Sequence, residues 1–587
     1  MGPQTRVGDY FHAMKYRAEG EDFREANNRV ASALKDSDTH YHVFRKITGD
    51  MRFMAAGRVQ SAMGSARATT PYNCYVSGTI EDSFVHGDGN IMQRAMEAAA
   101  TMRMGGGIGY DFSTLRPRGD VIHKLQSHSS GPVSFMGIFN EVCKCVASSG
   151  HRRGAQMGVL RVDHPDIEEF INAKHNITEL TGFNLSIAVT DEFMEAVVAG
   201  REFDLRWGGQ TYSTVDAAAL WESIMRSTWD WAEPGVLFID RMNGMNNLWY
   251  CETISATNPC GEQPLPPFGA CLLGSFNVAK YVRQRVLNQG GLKVVKDIMD
   301  WELDLDQLRE DIPHVVRAMD NVVDRARYPL PQQRAEALNK RRMGLGVTGM
   351  ANALEALGFP YGSPGYLERQ DLILKTIAVE SYRASAMLAA EKGAFPLFDR
   401  DQFPKGRFIA QLREEAPDVV ELIAQHGLRN SHLTSIAPTG TISLCADNCS
   451  SGIEPVFDYV QERPVNTPSG VEIVEVQDYG LATFGVRGRR AHEVTAQQHI
   501  AVLAGAQRWV DSSVSKTTNM DSSMPWEDFK DLYMTAWKFG CKGCTTFNKD
   551  GKRIALLTGK ATNGPAPEVD EGMTCAIDPV TGLKECG

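Results

Sequence analysis

Residues 184–200 read NLSIAVTDEFMEAVVAG. The first seven, NLSIAVT, have the β-branched, apolar character of a strand, and the rest has the Ala-, Met- and Glu-rich character of a helix ending in Gly. The same alternation recurs just downstream, where FDLRW (203–207) precedes AALWESIMRSTWDWA (218–232). Short strands alternating with helices predict an α/β protein with a parallel sheet or barrel. Gly-rich turns punctuate the pattern at MGGGIG (104–109), GHRRGAQMG (150–158), RRMGLGVTGMANAL (341–354) and APTGTIS (437–443). Upstream, apolar residues fall at helical spacing in FREANNRVASALKD (23–36), so residues 1–60 read as a helical N-terminal region. There is no internal repeat.

The 587 residues suffice for a large α/β barrel with appendages, and 43% apolar against 23% charged residues is the balance of a globular chain. A net charge of −11 excludes a general nucleic-acid binder, so any phosphate site must be local. No run is apolar enough to span a membrane and the N-terminus has no signal-peptide core, which predicts a cytoplasmic protein. Twelve cysteines are too few for a disulfide scaffold. Cys143, Cys145, Cys251, Cys445 and Cys449 are expected to be buried thiols acting as small hydrophobes.

Chemistry concentrates in Asn258-Pro259-Cys260-Gly261-Glu262, followed by Cys271. A thiol lies two residues from a carboxylate and two from a carboxamide, and the two thiols are too far apart in sequence for the usual zinc pair. Burying three such polar groups together costs free energy unless they serve a ligand. The arrangement suits redox or radical chemistry on a polar substrate, and no metal site is expected. Cys74, in Pro71-Tyr72-Asn73-Cys74-Tyr75, is a candidate partner thiol. The 437–443 turn offers backbone N–H groups and hydroxyls to an anion if it opens a helix. GLGVTG (344–349) has the glycine spacing of a dinucleotide-binding loop, a weak signal by itself, and is set aside. After residue 560 the chain becomes rich in Gly, Pro and acid, as in a flexible tail, yet it carries Cys575 and Cys586.

Asn73-Cys74, MGGGIGYDFSTLRPRGD, SSGPVSFMGIFN, RRGAQMGVLRVDHPDIEEFI, NPCGEQPL with ACLLGSFN, RRMGLGVTG, APTGTIS, SSGIEPVF, and VDSSVSKTTN with GCKGCTTF run in one order from about residue 55 to 555. In these segments the chain resembles the catalytic subunit of ribonucleotide reductase. The resemblance implies a ten-stranded α/β barrel with a central finger loop over residues 61–560 and a redox-shuttle tail over 561–587. It implies a ribonucleoside-diphosphate reductase recharged by thioredoxin or a glutaredoxin-like protein. Cys260 would carry a thiyl radical and Glu262 would act as general base. Asn258 would hold a sugar hydroxyl, and Cys74 with Cys271 would supply two electrons. Asn73, Pro259, Gly261 and the turn Pro438, Thr439, Gly440, Thr441, Ile442 and Ser443 would bind substrate. Asp82, Ser83, Arg116, Arg152 and Arg153 would hold a deoxynucleotide effector, with a homodimer possible. Cys575 and Cys586 would be the shuttle thiols. No ATP-cone domain is expected in the short N-terminal region.

The family's classes differ in radical source. A class that relays a hole from a separate metal subunit needs adjacent tyrosines where this chain has Thr545 and Thr546. The resemblance therefore favours adenosylcobalamin, with the partner-subunit class as the alternative. A catalytically inactive nucleotide-binding regulator is a reading of another kind. A zinc or redox role for Cys541 and Cys544 is a further one, against which a structural role is preferred.

Overall fold

The computed structural model describes residues 2–548, apart from 124, 149–151, 154, 177, 290–291, 296–300, 468–469 and 521–522, together with residue 552. Cys575 and Cys586 lie outside the described residues. Three helices open the chain: α1 (Arg6–Tyr16), α2 (Phe23–Leu34) and α3 (Asp38–Gly49). Each starts at a residue able to accept a hydrogen bond from the first turn: Thr5, Asp22 and Ser37. At α2 the cap is reciprocal, with Glu25 bonding back to the Asp22 backbone. Ala26, Val30, Ala31 and Leu34 form its buried stripe.

The 184–200 stretch folds as it reads. Phe183–Val189 is a strand, and of its seven residues only Asn184 is not fully buried. It lies parallel between Gln156–Arg161 and Gly235–Phe238, in the interior of the sheet, where a strand covered on both faces is expected to be continuously apolar. Thr190 caps the helix Asp191–Ala199 by accepting from the Phe193 N–H, and Gly200 ends it in the left-handed conformation.

The main sheet has eight strands. Its parallel centre runs Cys74–Val76, Gly107–Asp111, Gln156–Arg161, Phe183–Val189 and Gly235–Phe238. Both flanks change direction: Ala270–Cys271 joins Cys74–Val76 antiparallel, and Gly543–Asn548 joins Gly235–Phe238 antiparallel. Thr517–Met520 then pairs parallel with Gly543–Asn548. A three-stranded sheet holds Phe53–Ala55, Leu273–Asn277 and Gly344–Thr348. Single parallel bridges extend it from Leu345 to Thr434 and tie Ile436 to Val514. The architecture is thus mixed α/β around a large sheet.

Gly344–Thr348, within the GLGVTG segment, is a buried strand and not a nucleotide loop. A Cβ on Gly346 would come within 2.2 Å of the Ser435 carbonyl oxygen, so glycine there permits close strand packing. FDLRW departs from expectation. It lies in Glu202–Trp207, which pairs antiparallel with Gln210–Asp216 in a separate hairpin outside the main sheet. The cause is Gly208-Gly209, both at positive φ, the two-residue turn that reverses a strand at once. Cys145 and Cys251 also differ from expectation. Both are exposed, Cys145 on the last residue of the helix Pro132–Cys145 and Cys251 in the turn after Leu248. Cys143, Cys445 and Cys449 are buried. Among the described residues no helix is long and apolar enough to cross a membrane.

Candidate active site

The segment Asn258–Glu262 forms the tip of a small hairpin whose legs are Ala256–Thr257 and Pro264–Leu265. The Asn258 N–H donates to the Gln263 carbonyl (3.2 Å), and the Gln263 N–H donates to Asn258 Oδ1 (3.0 Å). The Gly261 N–H closes the tip on the Asn258 carbonyl (3.0 Å), with Gly261 at φ 82°. That conformation suits glycine and few other residues. The hairpin is fastened on two sides. Asn184, from the main sheet, donates to the Pro259 carbonyl at 3.0 Å. From the opposite side, Ser435 Oγ (2.9 Å) and the Ser513 N–H (3.0 Å) both donate to the Glu262 carbonyl. The finger therefore bridges the main sheet and the bridged segments at 434–436 and 513–514.

The tip is almost dry: Asn258 is 0%, Glu262 2% and Cys260 4% exposed. Cys260 and Glu262 line one cavity with Asn73, Cys74 and Ser275. Cys74 and Cys271 are direct partners across the antiparallel pair. Residues so placed share a face of the sheet, and their Cα separation of about 4.5–5.5 Å falls in the range a disulfide requires. Neither is in a disulfide here. Burial pushes the Cys271 thiol well above the ordinary thiol range, with further contributions from Glu262 and Cys74. That effect places Cys271 electrostatically beside both. Cys260 is held in a disulfide in this structure, so its free-thiol form requires reduction.

Several buried amide atoms have no hydrogen-bond partner among the described residues: Asn258 Nδ2 and both amide atoms of Gln263 in the hairpin, and Oδ1 of the cavity-lining Asn73. An unpaired buried donor or acceptor costs about 1–3 kcal/mol, which a hydroxylated ligand would remove. Asn258 spends its oxygen on the hairpin, so its NH2 is what remains for a ligand.

The 437–443 turn opens the short helix Gly440–Cys445. Pro438, Thr439, Thr441 and Ile442 line the same cavity as Cys260, whereas Gly440 and Ser443 do not. Thr439 sits at φ 57°, and its hydroxyl is spent on Thr348 Oγ1 (3.1 Å) and the Gly452 N–H (2.7 Å). Ser443 Oγ donates to the Gly440 carbonyl and pairs with Ser451 Oγ. The groups left for an anion are thus backbone N–H groups of the turn and the Thr441 side chain. Tyr16, Ala56 and Gly57 complete the lining from the N-terminal side. Sequence reasoning passed over them, since nothing in a helix-ending Tyr signals a contact with a loop more than 400 residues away.

The other nominated residues lie elsewhere. Asp82 pairs with Arg116 at 2.7 Å and accepts from the Arg116 N–H at 3.1 Å, and Ser83 Oγ accepts from the His86 N–H. Arg152–Arg153 pair with Ala147–Ser148 as a two-residue ribbon. Asp82, Ser83 and Arg116 do not line the Cys260 cavity. Cys541 and Cys544 are buried, outside any disulfide, at and beside the start of Gly543–Asn548. Among the described residues no cluster of three or more His, Cys, Asp or Glu side chains is arranged to hold a metal ion.

The family model for the barrel domain of ribonucleotide reductase matches residues 72–484 and 486–547. The chain belongs to the ribonucleotide reductase family. It is 34% identical over 514 residues to a vitamin B12-dependent ribonucleoside-diphosphate reductase of Thermoplasma acidophilum, covering 82% of this chain and 62% of that protein. A protein of the same description from Mycobacterium tuberculosis (strain H37Rv) is 35% identical over 519 residues, or 83% of this chain and 67% of its own. A ribonucleoside-diphosphate reductase subunit alpha of Helicobacter pylori is 26% identical over 556 residues, or 80% and 69%. The chain thus spans less than two thirds of the Thermoplasma relative. Tyr16, Ala56 and Gly57 precede the segment matched to the family's barrel domain.

Proposed function

We propose that the chain reduces ribonucleotides to 2′-deoxyribonucleotides by radical chemistry at Cys260, drawing two electrons from Cys74 and Cys271. The observation that carries this reading is the cavity shared by Cys260, Cys74 and Glu262, with Cys271 paired to Cys74. Removal of hydrogen from the ribose 3′ carbon by a Cys260 sulfur radical eases loss of the neighbouring 2′-hydroxyl. Glu262 takes the 3′-hydroxyl proton. Asn258 Nδ2, otherwise unpaired, donates to a sugar hydroxyl. The 2′-hydroxyl leaves as water while Cys74 and Cys271 close a disulfide, yielding the two electrons and two protons that balance the reduction. Hydrogen then returns to the 3′ carbon and Cys260 is a radical again. Substrate phosphates meet the N–H groups opening Gly440–Cys445, with Asn73, Pro259 and Gly261 along the sugar. The same reading gives Asp82, Ser83, Arg116, Arg152 and Arg153 to an effector site, and Cys575 with Cys586 to recharging of the dithiol by thioredoxin or a similar reductant. A reducing, cytoplasmic compartment suits the nine cysteines among the described residues that form no disulfide.

The barrel is read as closed and ten-stranded. Its support is the run of pairings from Cys74–Val76 to Gly543–Asn548 and Thr517–Met520, the single bridges Ile436–Val514 and Leu345–Thr434, and the pairing of Gly344–Thr348 with Leu273–Asn277, which follows Ala270–Cys271 along the chain.

Adenosylcobalamin is the proposed radical source, in keeping with the names of the Thermoplasma and Mycobacterium relatives. When bound, it supplies a carbon-centred radical able to take hydrogen from a thiol. The residues fit such a group in one respect: Thr545 and Thr546 stand where a hole relay would need tyrosines, and Thr546 Oγ1 instead pairs with Tyr533 OH at 2.9 Å. Tyr16, Ala56, Gly57 and Ile442, which line the Cys260 cavity, are the residues it would meet nearest that sulfur.

The test is an assay of the full chain alone, with ribonucleoside diphosphate and a small dithiol, with and without adenosylcobalamin. Deoxynucleotide should form only with the cofactor, and Cys260→Ser should bind nucleotide without turnover. Multiple turnover by Cys260→Ser would remove that residue from its role. Activity only on adding a metal-containing partner subunit would favour the relay class.

A further inference from the structure

A second cavity, of about 520 Å³, opens behind the helix Gly440–Cys445. It lies between the start of α1, the strand Gly470–Gln477 and Tyr479. Val7, Val474 and Val476 give it apolar walls, and Arg6, Lys280, Asp447 and Glu475 supply charge of both signs. Its size falls in the usual range for small-molecule sites, about 300–1,000 Å³, and far exceeds what one water needs.

Asp447 is only 5% exposed. Its Oδ1 accepts from the Gln4 N–H (2.7 Å), the Thr5 N–H (2.8 Å) and Thr5 Oγ1 (3.1 Å), fixing the chain where it enters α1. Its Oδ2 is buried and accepts no hydrogen bond among the described residues. The nearest cation, Lys280 Nζ, stands 3.9 Å away, too far for a hydrogen bond, over the Tyr479 ring at 4.8 Å. Lys280 likewise donates no hydrogen bond among the described residues. A buried carboxylate oxygen that accepts no hydrogen bond therefore sits on one wall beside an ammonium that is its ion-pair partner but stands too far off to donate to it. Such groups are normally satisfied.

We propose that this cavity binds a neutral molecule through a carboxamide or lactam edge. That edge presents one N–H donor and one C=O acceptor together, the complement of Asp447 Oδ2 and Lys280 Nζ. Two hydrogen bonds of about 2.9 Å reach two protein atoms at the observed spacing. A simple anion would meet Asp447 and a simple cation would meet Lys280, so the mixed pair selects an edge carrying both functions. The apolar walls take the flat remainder of the ligand. Asp447 follows the helix Gly440–Cys445 by two residues, so occupancy bears directly on the back of the turn that lines the Cys260 cavity. The site stands independently of the reaction proposed above.

Two sources carry this chemistry: the carboxamide arms of a cobalamin, and the lactam of a guanine or uracil base. The test uses the full chain and two probes, cyanocobalamin followed by its visible absorbance in equilibrium dialysis, and guanosine followed by calorimetry. Two variants are compared with wild type. Lys280→Met keeps the aliphatic stem and breaks no hydrogen bond. Asp447→Asn keeps the Oδ1 acceptor for Gln4 and Thr5 and replaces only the unpaired oxygen. At least tenfold weaker binding of one probe in both variants, with unchanged melting temperature, supports the site and identifies its source. Binding of both probes within twofold of wild type in both variants, or no binding of either probe to wild type, overturns it.

Discussion

Gly109 offers a sharp test of how the strand scaffold sets the finger. It lies in Gly107–Asp111, directly against the hairpin leg that leads into Asn258. A Cβ placed on Gly109 would stand 1.9 Å from the Thr257 carbonyl oxygen. That atom is backbone, so no side chain can rotate away to make room. Reaching even the 3.0 Å floor of real contacts requires the strand and the hairpin to separate by about 1.1 Å. Ser435 and Ser513 grip the far side of the tip and Asn184 holds it to the main sheet, so the shift is taken up within residues 257–262. Overpacking of this kind costs about 1–3 kcal/mol of stability. Misplacement of a reacting group by about 1 Å costs on the order of 10²-fold in rate. Gly109→Ala should therefore melt a few degrees lower and lose about two decades of deoxynucleotide formation under conditions where wild type turns over. Gly137→Ala is the control: a Cβ there meets nothing within 4 Å on the helix Pro132–Cys145, so it should be neutral or stabilise by up to about 1 kcal/mol. Wild-type turnover and melting in Gly109→Ala would refute the claim that this strand positions Cys260.

Cys271→Ser keeps the size of the side chain and removes the dithiol, so it should bind nucleotide normally and fail to turn over repeatedly, as read by product formed per enzyme. Glu355 gives a pH test. Burial, first among the causes, pushes its carboxyl up to about 7 from an ordinary 4.5. The folded state therefore holds a proton that the unfolded chain gives up, and the stability this contributes is full below pH 4.5 and lost as pH rises through 7. The loss amounts to roughly 3 kcal/mol. Glu355→Gln keeps an acceptor for the Tyr361 and Arg489 N–H groups, and it should reduce the fall in melting temperature between pH 5 and pH 8. An unchanged pH dependence would mean that the carboxyl titrates normally.

The parallel centre of the sheet was legible because residues 184–200 change period where the structure changes element, with Thr190 and Gly200 marking both helix ends. The finger was legible because Pro, Gly and three polar groups crowd into five residues that could not be buried cheaply without a purpose. FDLRW misled because a strand's composition does not say which sheet it joins; Gly208-Gly209, just beyond it, held that information. Cys145 and Cys251 misled because burial is a property of position, and both fall at element ends that face solvent. Tyr16, the Lys280–Asp447 pair and the fastening of Glu262 by Ser435 and Ser513 join residues far apart in the chain. Local pattern carries no trace of such contacts.

The placement of Cys74 opposite Cys271 has a mechanical side. These residues lie roughly 200 positions apart in the chain, on strands that run against each other where the main sheet changes direction. Each oxidation of the pair would sew that seam shut, and each reduction would unpick it. A stitch closing so long a loop removes about 5 kcal/mol worth of freedom from the unravelled chain. The spent enzyme should accordingly be tougher than the charged one, withstanding more urea and slower to be cut by protease, so that its resilience registers whether it has been recharged.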